Sequence, residues 1–271
     1  MLRDGLTGDW IGTFVGHKGA VWSARLSSCA SLAATGSADF SAKIWDTFTG
    51  ETLHTLQHNH IVRAVAFPGA ERPTVFASGG MEKKLRVWNL NTAAYGVNGG
   101  AQTNGDATGC YEVGQGEHGG TIKSIIWSAD PNILTTACDD KKIRWWDLRS
   151  RSSIASYDIA WGTLSVAAGK SIYFFDGGRP GQLIKSIKTN QEIASVAVNG
   201  SQRRFVTGSP GDTWVKVWDF DTEQELETGK GHHGPIWTTS FSPDGKLYAT
   251  GSEDGTIKLW KFTSGPYGLW R

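Results

Sequence analysis

The sequence is poor in cysteine, nearly free of net charge and without a long apolar run, and each shortage excludes a class of protein. Only Cys29, Cys110 and Cys138 stand in 271 residues. An odd, widely spaced set supports neither a disulfide framework nor a paired C-x-x-C metal knuckle, so a reducing setting, cytoplasmic and nuclear, is expected. The formal net charge of +1, from 27 basic and 26 acidic residues, gives no global field to attract nucleic acid or an anionic membrane. Neither is expected as a direct partner. No stretch approaches the roughly 18 to 20 apolar residues that span a bilayer. Met1-Leu2-Arg3-Asp4-Gly5 lacks the apolar core of a signal peptide, so none is expected.

What is abundant is glycine and tryptophan, 35 and 13 residues, which mark a chain of many turns and large aromatic anchors. These residues recur on a ruler. Gly16-His17-Lys18-Gly19-Ala20-Val21-Trp22 leads to Gly36-Ser37-Ala38-Asp39 and Lys43-Ile44-Trp45-Asp46. Near the other end, Gly231-His232-His233-Gly234-Pro235-Ile236-Trp237 leads to Gly251-Ser252-Glu253-Asp254 and Lys258-Leu259-Trp260. In both, and again in His118, Asp140 and Trp146, 22 residues separate His from Asp and 6 separate Asp from Trp. Looser copies run from His58 through Glu82 to Trp88, and from Thr189 through Asp212 to Trp218. A sixth, weak copy is marked only by Ser171 to Asp176. Each holds short β-branched and aromatic segments between Gly, Asp, Ser and Asn, the pattern of four short strands joined by tight turns.

A period of about 40 to 45 residues with Gly-His in front and Trp-Asp behind resembles the WD-repeat family. That resemblance implies an all-β propeller. One four-stranded blade cannot bury both faces, and radial packing against two neighbours solves the problem. It also implies that His17, Ser37, Asp39 and Trp45, with His118, Asp140 and Trp146 and with His232, Ser252, Asp254 and Trp260, form structural hydrogen-bonded tetrads. His17, Ser37 and Asp39 imitate a hydrolase triad, but a triad is one constellation in one cleft. A set repeated in every copy, with Cys138 for the Ser, Gly80 before Glu82 and Thr189 for the His, reads as structural, so no catalytic residue is assigned.

His54, His58 and His60 lie close together, but His58 has the repeat role and no Cys, Asp or Glu is near enough in sequence to complete a closed metal site. Gly96-Val97-Asn98-Gly99-Gly100 lacks the Gly-Lys-Ser/Thr ending of a phosphate loop. No metal and no cofactor are expected.

The ruler breaks in three places. Steps between marker aromatics are 43, 58, 29, 43 and 42 residues. The long step predicts a flexible loop insertion over 93–116. The short step predicts a blade without its innermost strand near Asp158 to Gly162, where Ile159-Ala160-Trp161 is a poor substitute. Leu2 falls where an earlier Trp belongs, so the chain is expected to begin inside a blade, with Trp10 to Phe14 as that blade's fourth strand. The expectation is a single domain, 1–271, of the seven-bladed kind, with six recognisable repeats and an N-terminal blade fragment. Either Trp10 to Phe14 closes a six-bladed ring, or a seven-bladed ring lacks most of one blade.

Particular wording narrows the resemblance: Gly8-Asp9-Trp10-Ile11-Gly12-Thr13-Phe14 before the first His, Ala38-Asp39-Phe40-Ser41-Ala42-Lys43, His58-Asn59-His60-Ile61-Val62, and Tyr267-Gly268-Leu269-Trp270 at the end. It is similar to the kinase-receptor-associated scaffolds of the WD-repeat family. That implies a non-enzymatic scaffold in the survival-of-motor-neuron complex, which assembles spliceosomal ribonucleoprotein cores, with links to receptor kinases and translation regulators. The alternative is the WD-repeat subunit of eukaryotic translation initiation factor three; the terminal Tyr-Gly-Leu-Trp favours the first. For partner contacts, the position five after each His enters the innermost strand, which gives Trp22, Arg63, Lys123 and Trp237. Exposed Trp are candidate hot spots, against partly buried packing as the competing role.

Overall fold

The computed structural model describes residues 1–91, 109–158, 167–168 and 170–265. Strands β1 (Leu2–Arg3) and β2 (Trp10–Gly12) pair as a two-stranded sheet. The rest builds antiparallel meanders in two compact units, the first holding 12–160 and the second 183–271 among their residues.

In the first unit, β3 (Val21–Leu26), β4 (Leu32–Ser37), β5 (Ser41–Asp46) and β6 (Thr52–Gln57) form one four-stranded sheet. The next comprises β7 (Val62–Ala66), β8 (Val75–Gly80), β9 (Leu85–Asn89) and β10 (Cys110–Val113). A third comprises β11 (Ile122–Trp127), β12 (Ile133–Cys138), β13 (Lys142–Asp147) and β14 (Ser152–Asp158). Side chains of β7 pack both ways. Val62 and Val65 join Ala34, Ile44, Phe76 and Trp88 in one core, while Ala64 and Ala66 join Leu85, Ile122, Leu134 and Trp146 in another. This is the burial that one sheet alone lacks. Trp45 and Trp146 are fully buried, and an indole removes roughly 150–250 Å² from water.

In the second unit, β15 (Ala167–Ala168), β16 (Ser171–Phe175) and β17 (Leu183–Lys188) make a three-stranded sheet. Strands β18 (Ser195–Asn199), β19 (Arg204–Gly208), β20 (Val215–Asp219) and β21 (Glu225–Gly229) make a four-stranded one, and β22 (Ile236–Phe241), β23 (Leu247–Ser252) and β24 (Ile257–Lys261) another of three. Ile172, Phe174, Ile187, Ile193 and Phe205 form one core; Val206, Val215, Val217, Ile236 and Tyr248 form the next.

The fold is an all-β WD-repeat β-propeller fold, but it has five blades among the described residues, which corrects the expected seven-bladed kind with six recognisable repeats and a fragment. The five are the sheets beginning at β3, β7, β11, β18 and β22, and each carries one marker Trp: Trp45, Trp88, Trp146, Trp218 or Trp260. The weak copy at Ser171 to Asp176 forms β16, but its preceding strand β15 has two residues and the segment has neither His nor Trp. An aromatic run was enough to read as a strand, not to build a blade. The N-terminal fragment is the β1–β2 pair alone. Most of the loop read over 93–116 lies outside the described residues, but Cys110–Val113 within it is β10, hydrogen-bonded to β9 as that blade's fourth strand. Ile159, Ala160 and Trp161 also lie outside the described residues.

One turn recurs. The residue after the tetrad acid is left-handed in four blades, with φ of 66° at Phe40, 62° at Lys83, 65° at Lys141 and 79° at Gly255. It reverses the chain into the Trp-bearing strand and brings the acid back to the N–H that follows the His.

Candidate functional site

Each blade is organised round the hydroxyl that receives its indole proton. Trp45 Nε1 donates to Thr35 Oγ1 at 2.8 Å, Trp88 to Ser78 at 2.7 Å, Trp146 to Thr136 at 2.8 Å, Trp218 to Thr207 at 2.9 Å and Trp260 to Thr250 at 2.8 Å. In four blades the same hydroxyl meets an imidazole Nε2: His17 at 2.6 Å, His58 at 2.9 Å, His118 at 3.0 Å and His232 at 2.7 Å. Where an acid faces Nδ1, as for His17, His58 and His232, the ring proton lies on that side, and the hydroxyl accepts from the indole and donates to Nε2.

This corrects the role given to Ser37 and Ser252. Ser37 instead donates to Gly19 O at 3.1 Å and accepts from Asp39 N at 3.2 Å; Ser252 does the same with Gly234 O and Asp254 N at 3.0 and 3.2 Å. Two residues further along a pleated strand lie on the same face but past the indole, within reach of the turn. The two serines therefore tie the turn, and the threonines complete the tetrads.

The acid closes each set, and the N–H following the His always donates to it: Lys18 to Asp39 at 2.9 Å, Asn59 to Glu82 at 3.1 Å, Gly119 to Asp140 at 2.9 Å and His233 to Asp254 at 2.8 Å. Beyond that, the blades divide. In the β3 and β22 blades a hydroxyl two residues after the acid donates to it, Ser41 at 2.7 Å and Thr256 at 2.6 Å. The imidazole Nδ1 then reaches the acid, at 2.8 Å for His17–Asp39 and 3.2 Å for His232–Asp254. In the β7 and β11 blades that position is Lys84 or Lys142, and an arginine four residues after the acid takes over. Arg86 pairs with Glu82, and Arg144 with Asp140 at 2.8 Å. His58 Nδ1 stands 3.4 Å from Glu82, and His118 Nδ1 has no partner among the described residues.

The protonation states follow. Burial pushes the Asp39 carboxyl up, but hydrogen bonds from Ser41, Lys18 N and His17 more than offset it and hold it far below the usual range. Thr256, His233 N and His232 do the same for Asp254. Glu82, against its burial, is held at about 2 by His58 and Arg86. His118 is pushed down to about 4 by burial and by the Arg144 charge, against the pull of Asp140. Burial likewise lowers His58.

The fifth set is incomplete. Thr189 stands at the imidazole position and donates to Gln191 O at 2.7 Å, while Gln191 Nε2 donates to Asp212 at 3.1 Å in the role of the absent ring N–H.

None of these hydroxyls is placed as a nucleophile. Each is buried and accepts from an indole, and the same arrangement recurs from blade to blade, so the sets hold turns to strands. Replacing Asp39 by Ala removes the acceptor for His17, Ser41 and Lys18 N and is expected to cost about 2 kcal/mol. Ser37→Ala should cost about 1 kcal/mol or less. Urea unfolding of both variants checks the order; equal midpoints would contradict it.

His58 belongs to its tetrad, while His60 Nδ1 accepts from Ile61 N at 2.8 Å. Among the described residues no three potential metal ligands converge.

The four residues proposed for partner contact share a backbone feature invisible in the sequence. In β3, β7, β11 and β22 the register shifts between Val21 and Ser23, Val62 and Ala64, Ile122 and Ser124, and Ile236 and Thr238. The skipped residues are Trp22, Arg63, Lys123 and Trp237. Each is the extra residue of a β-bulge, a device that re-aims a side chain out of the ladder. Trp22 is 51% exposed and Trp237 53%. The Arg63 guanidinium lies 4.2 Å from the Trp22 ring centroid, Lys123 pairs with Asp139 at 3.2 Å, and Trp237 Nε1 donates to Glu253 at 3.0 Å. The first unit thus presents an indole with a guanidinium stacked on it, an arrangement suited to gripping a partner side chain.

The family model described as WD domain, G-beta repeat matches residues 8–46, 50–89, 111–147, 181–219 and 223–261. The chain is 39% identical to the serine-threonine kinase receptor-associated protein of Gallus gallus across 100% of its own length and 75% of that protein. The protein of the same name from Dictyostelium discoideum is 38% identical over 96% of this chain and 86% of its own. Eukaryotic translation initiation factor 3 subunit I of Culex quinquefasciatus is 28% identical over 97% and 87%. The chain belongs to the WD-repeat family, in the group of the serine-threonine kinase receptor-associated proteins, and is a non-catalytic scaffold for protein–protein interaction.

Proposed function

We propose that this scaffold works in the survival-of-motor-neuron complex during assembly of spliceosomal ribonucleoprotein cores, in cytoplasm and nucleus, with a second role beside receptor kinases. The observation that supports this reading is the 39% identity running through the whole chain to a protein named for association with a kinase receptor. Identity to the initiation-factor subunit is lower, at 28%. The bulged Trp22, Arg63, Lys123 and Trp237 are the contact residues in this reading, because bulging frees each side chain from the ladder while the flanking strand stays rigid.

Affinity purification from cells with mass spectrometry tests it. Factors that assemble the spliceosomal core should co-purify with the parent protein. Trp22→Ala and Trp237→Ala should each reduce their recovery by about tenfold, the loss of about 1.4 kcal/mol, while the melting temperature stays unchanged. Recovery of initiation-factor subunits instead would move the scaffold to translation initiation. Full recovery of the same partners by both variants would remove the bulged residues from the interface.

A further inference from the structure

The sheets beginning at β3 and β7 share an exposed patch at the end where those two strands start. Val21 pairs with Ser37 and Val62 with Gly80, so the turns that follow β4 and β8 stand at the same end. The stacked Trp22 and Arg63 form one half of the patch. Phe40 and His60 form the other, with ring centroids 5.4 Å apart. The entry of β7, from His60 to Arg63, joins the halves. His58 N donates to Phe40 O at 2.8 Å, and Met81 N donates to Ile61 O at 3.0 Å, which brings Phe40 and Met81 to the same entry.

Phe40 is out of character for its position. Its φ of 66° lies in a region that bulky side chains avoid, and the matching residues of the sister turns are Lys83, Lys141 and Gly255. Its ring is nevertheless exposed, as are Trp22 and Met81. A strained backbone that holds an aromatic ring in solvent serves a contact, not a core.

The unpaired charges here are of one sign. Lys18, whose N–H bonds Asp39, and Lys83 are exposed on either turn, and neither they nor Arg63 pair with a carboxylate among the described residues. The acids of the two turns are already committed, Asp39 to His17, Ser41 and Lys18 N, and Glu82 to Arg86 and Asn59 N. The whole chain is only +1, so this positive charge is local. Aromatic rings and a guanidinium edged by lysines ask for the converse: apolar side chains edged by carboxylates. Three cations are few for a phosphate backbone, where affinity grows with the number of charges neutralised.

We propose that this patch binds an acidic, aromatic-bearing segment of a partner protein, with its ring among Trp22, Phe40 and Met81 and a carboxylate on the Arg63 guanidinium. This rests on Trp22 and Arg63 being partner contacts and adds the chemistry of what they contact.

The test uses the full chain and the fluorescein-labelled peptide Asp-Phe-Glu-Leu-Asp-Phe-Glu-Leu, followed by fluorescence anisotropy. A dissociation constant on the order of 10 μM is expected at low salt, weakened more than about threefold in about 0.5 M sodium chloride. The same peptide with Lys for every acid, or Ser for every apolar residue, should bind at least about tenfold more weakly. Arg63→Glu should cost the acidic peptide more than about tenfold, and so should Lys18→Glu combined with Lys83→Glu, whose exposed side chains leave folding intact. Phe40→Gly, which suits the left-handed turn, should weaken binding more than about fivefold. No binding of the acidic peptide by the parent would overturn the proposal, while loss of cellular partners on Trp22→Ala would still keep that residue as a contact. Equal affinity for the basic peptide, or tighter binding of an oligodeoxythymidine of equal charge, would overturn it as well.

Discussion

Replacing Gly114 by alanine is expected to cost about 4 kcal/mol, because two penalties fall on one atom. Gly114 follows β10 with φ of 60°, in the left-handed region, where a Cβ costs roughly 1–2 kcal/mol. A Cβ built there would overlap ring carbons of Trp146. That indole cannot retreat: it is fully buried, hydrogen-bonded through Nε1 to Thr136, and seated in the core with Leu85, Ile122 and Leu134. Forcing atoms into such a core costs typically about 1–3 kcal/mol more. Gly116 is the control, since its φ of 77° is similarly left-handed but a Cβ there meets nothing within 4 Å. Gly116→Ala should cost only the backbone share, about 1 kcal/mol. Urea unfolding of the two variants separates contact from conformation. Equal losses would show that the indole yields, and the close packing of this blade would be refuted.

Acid should unfold the protein in two stages, and the first belongs to histidine. His118 is held neutral down to about 4, while an unfolded histidine takes its proton near 6.5. Between these values the unfolded chain binds more protons, so stability falls as pH drops from about 6.5 to about 4. His118 alone contributes up to about 3 kcal/mol across that window, and His58, lowered by burial, adds to it. The second stage lies lower. Asp39, Asp254, Glu82 and Asp140 all have depressed folded values, so their contribution is complete only above about 5 and is lost as pH falls further. Arg144→Met removes one cause of the His118 shift and frees Asp140 to turn toward Nδ1. The ring proton of His118 should then titrate about one unit higher by NMR, and the upper stage should shrink. An unchanged His118 titration would mean that burial acts alone.

The spacing of His, acid and Trp was legible because the tetrad is a local constraint repeated at fixed chain distance. The tetrad hydroxyl lies two residues before Ser37 and Ser252, the serines beside the acid: Thr35, Ser78, Thr136 and Thr250, each ten residues before its Trp, recur regularly and mark the true partner. The bulges were not legible, since a register shift leaves no residue type behind: Trp, Arg, Lys and Trp occupy the skipped positions. The blade count failed at Ser171 to Asp176, because β-branched and aromatic residues report that a strand forms but not that it stands in a sheet with a full inner strand and a marker His and Trp.

The two ways of holding the tetrad acid have a consequence for how such a chain can change. Ser41 stands with Lys43 and Thr256 with Lys258, whereas Lys84 stands with Arg86 and Lys142 with Arg144. The pairs behave as two-letter words. Moving only the first letter from the β3 blade into the β11 blade would set a hydroxyl beside an acid already claimed by Arg144; moving only the second would replace that guanidinium by a lysine, which lacks the fork that holds both oxygens of Asp140. Both letters must travel together. A blade grafted between such proteins therefore has to be cut so that neither word is split, and a substitution that looks harmless in one blade is a spelling error in the next.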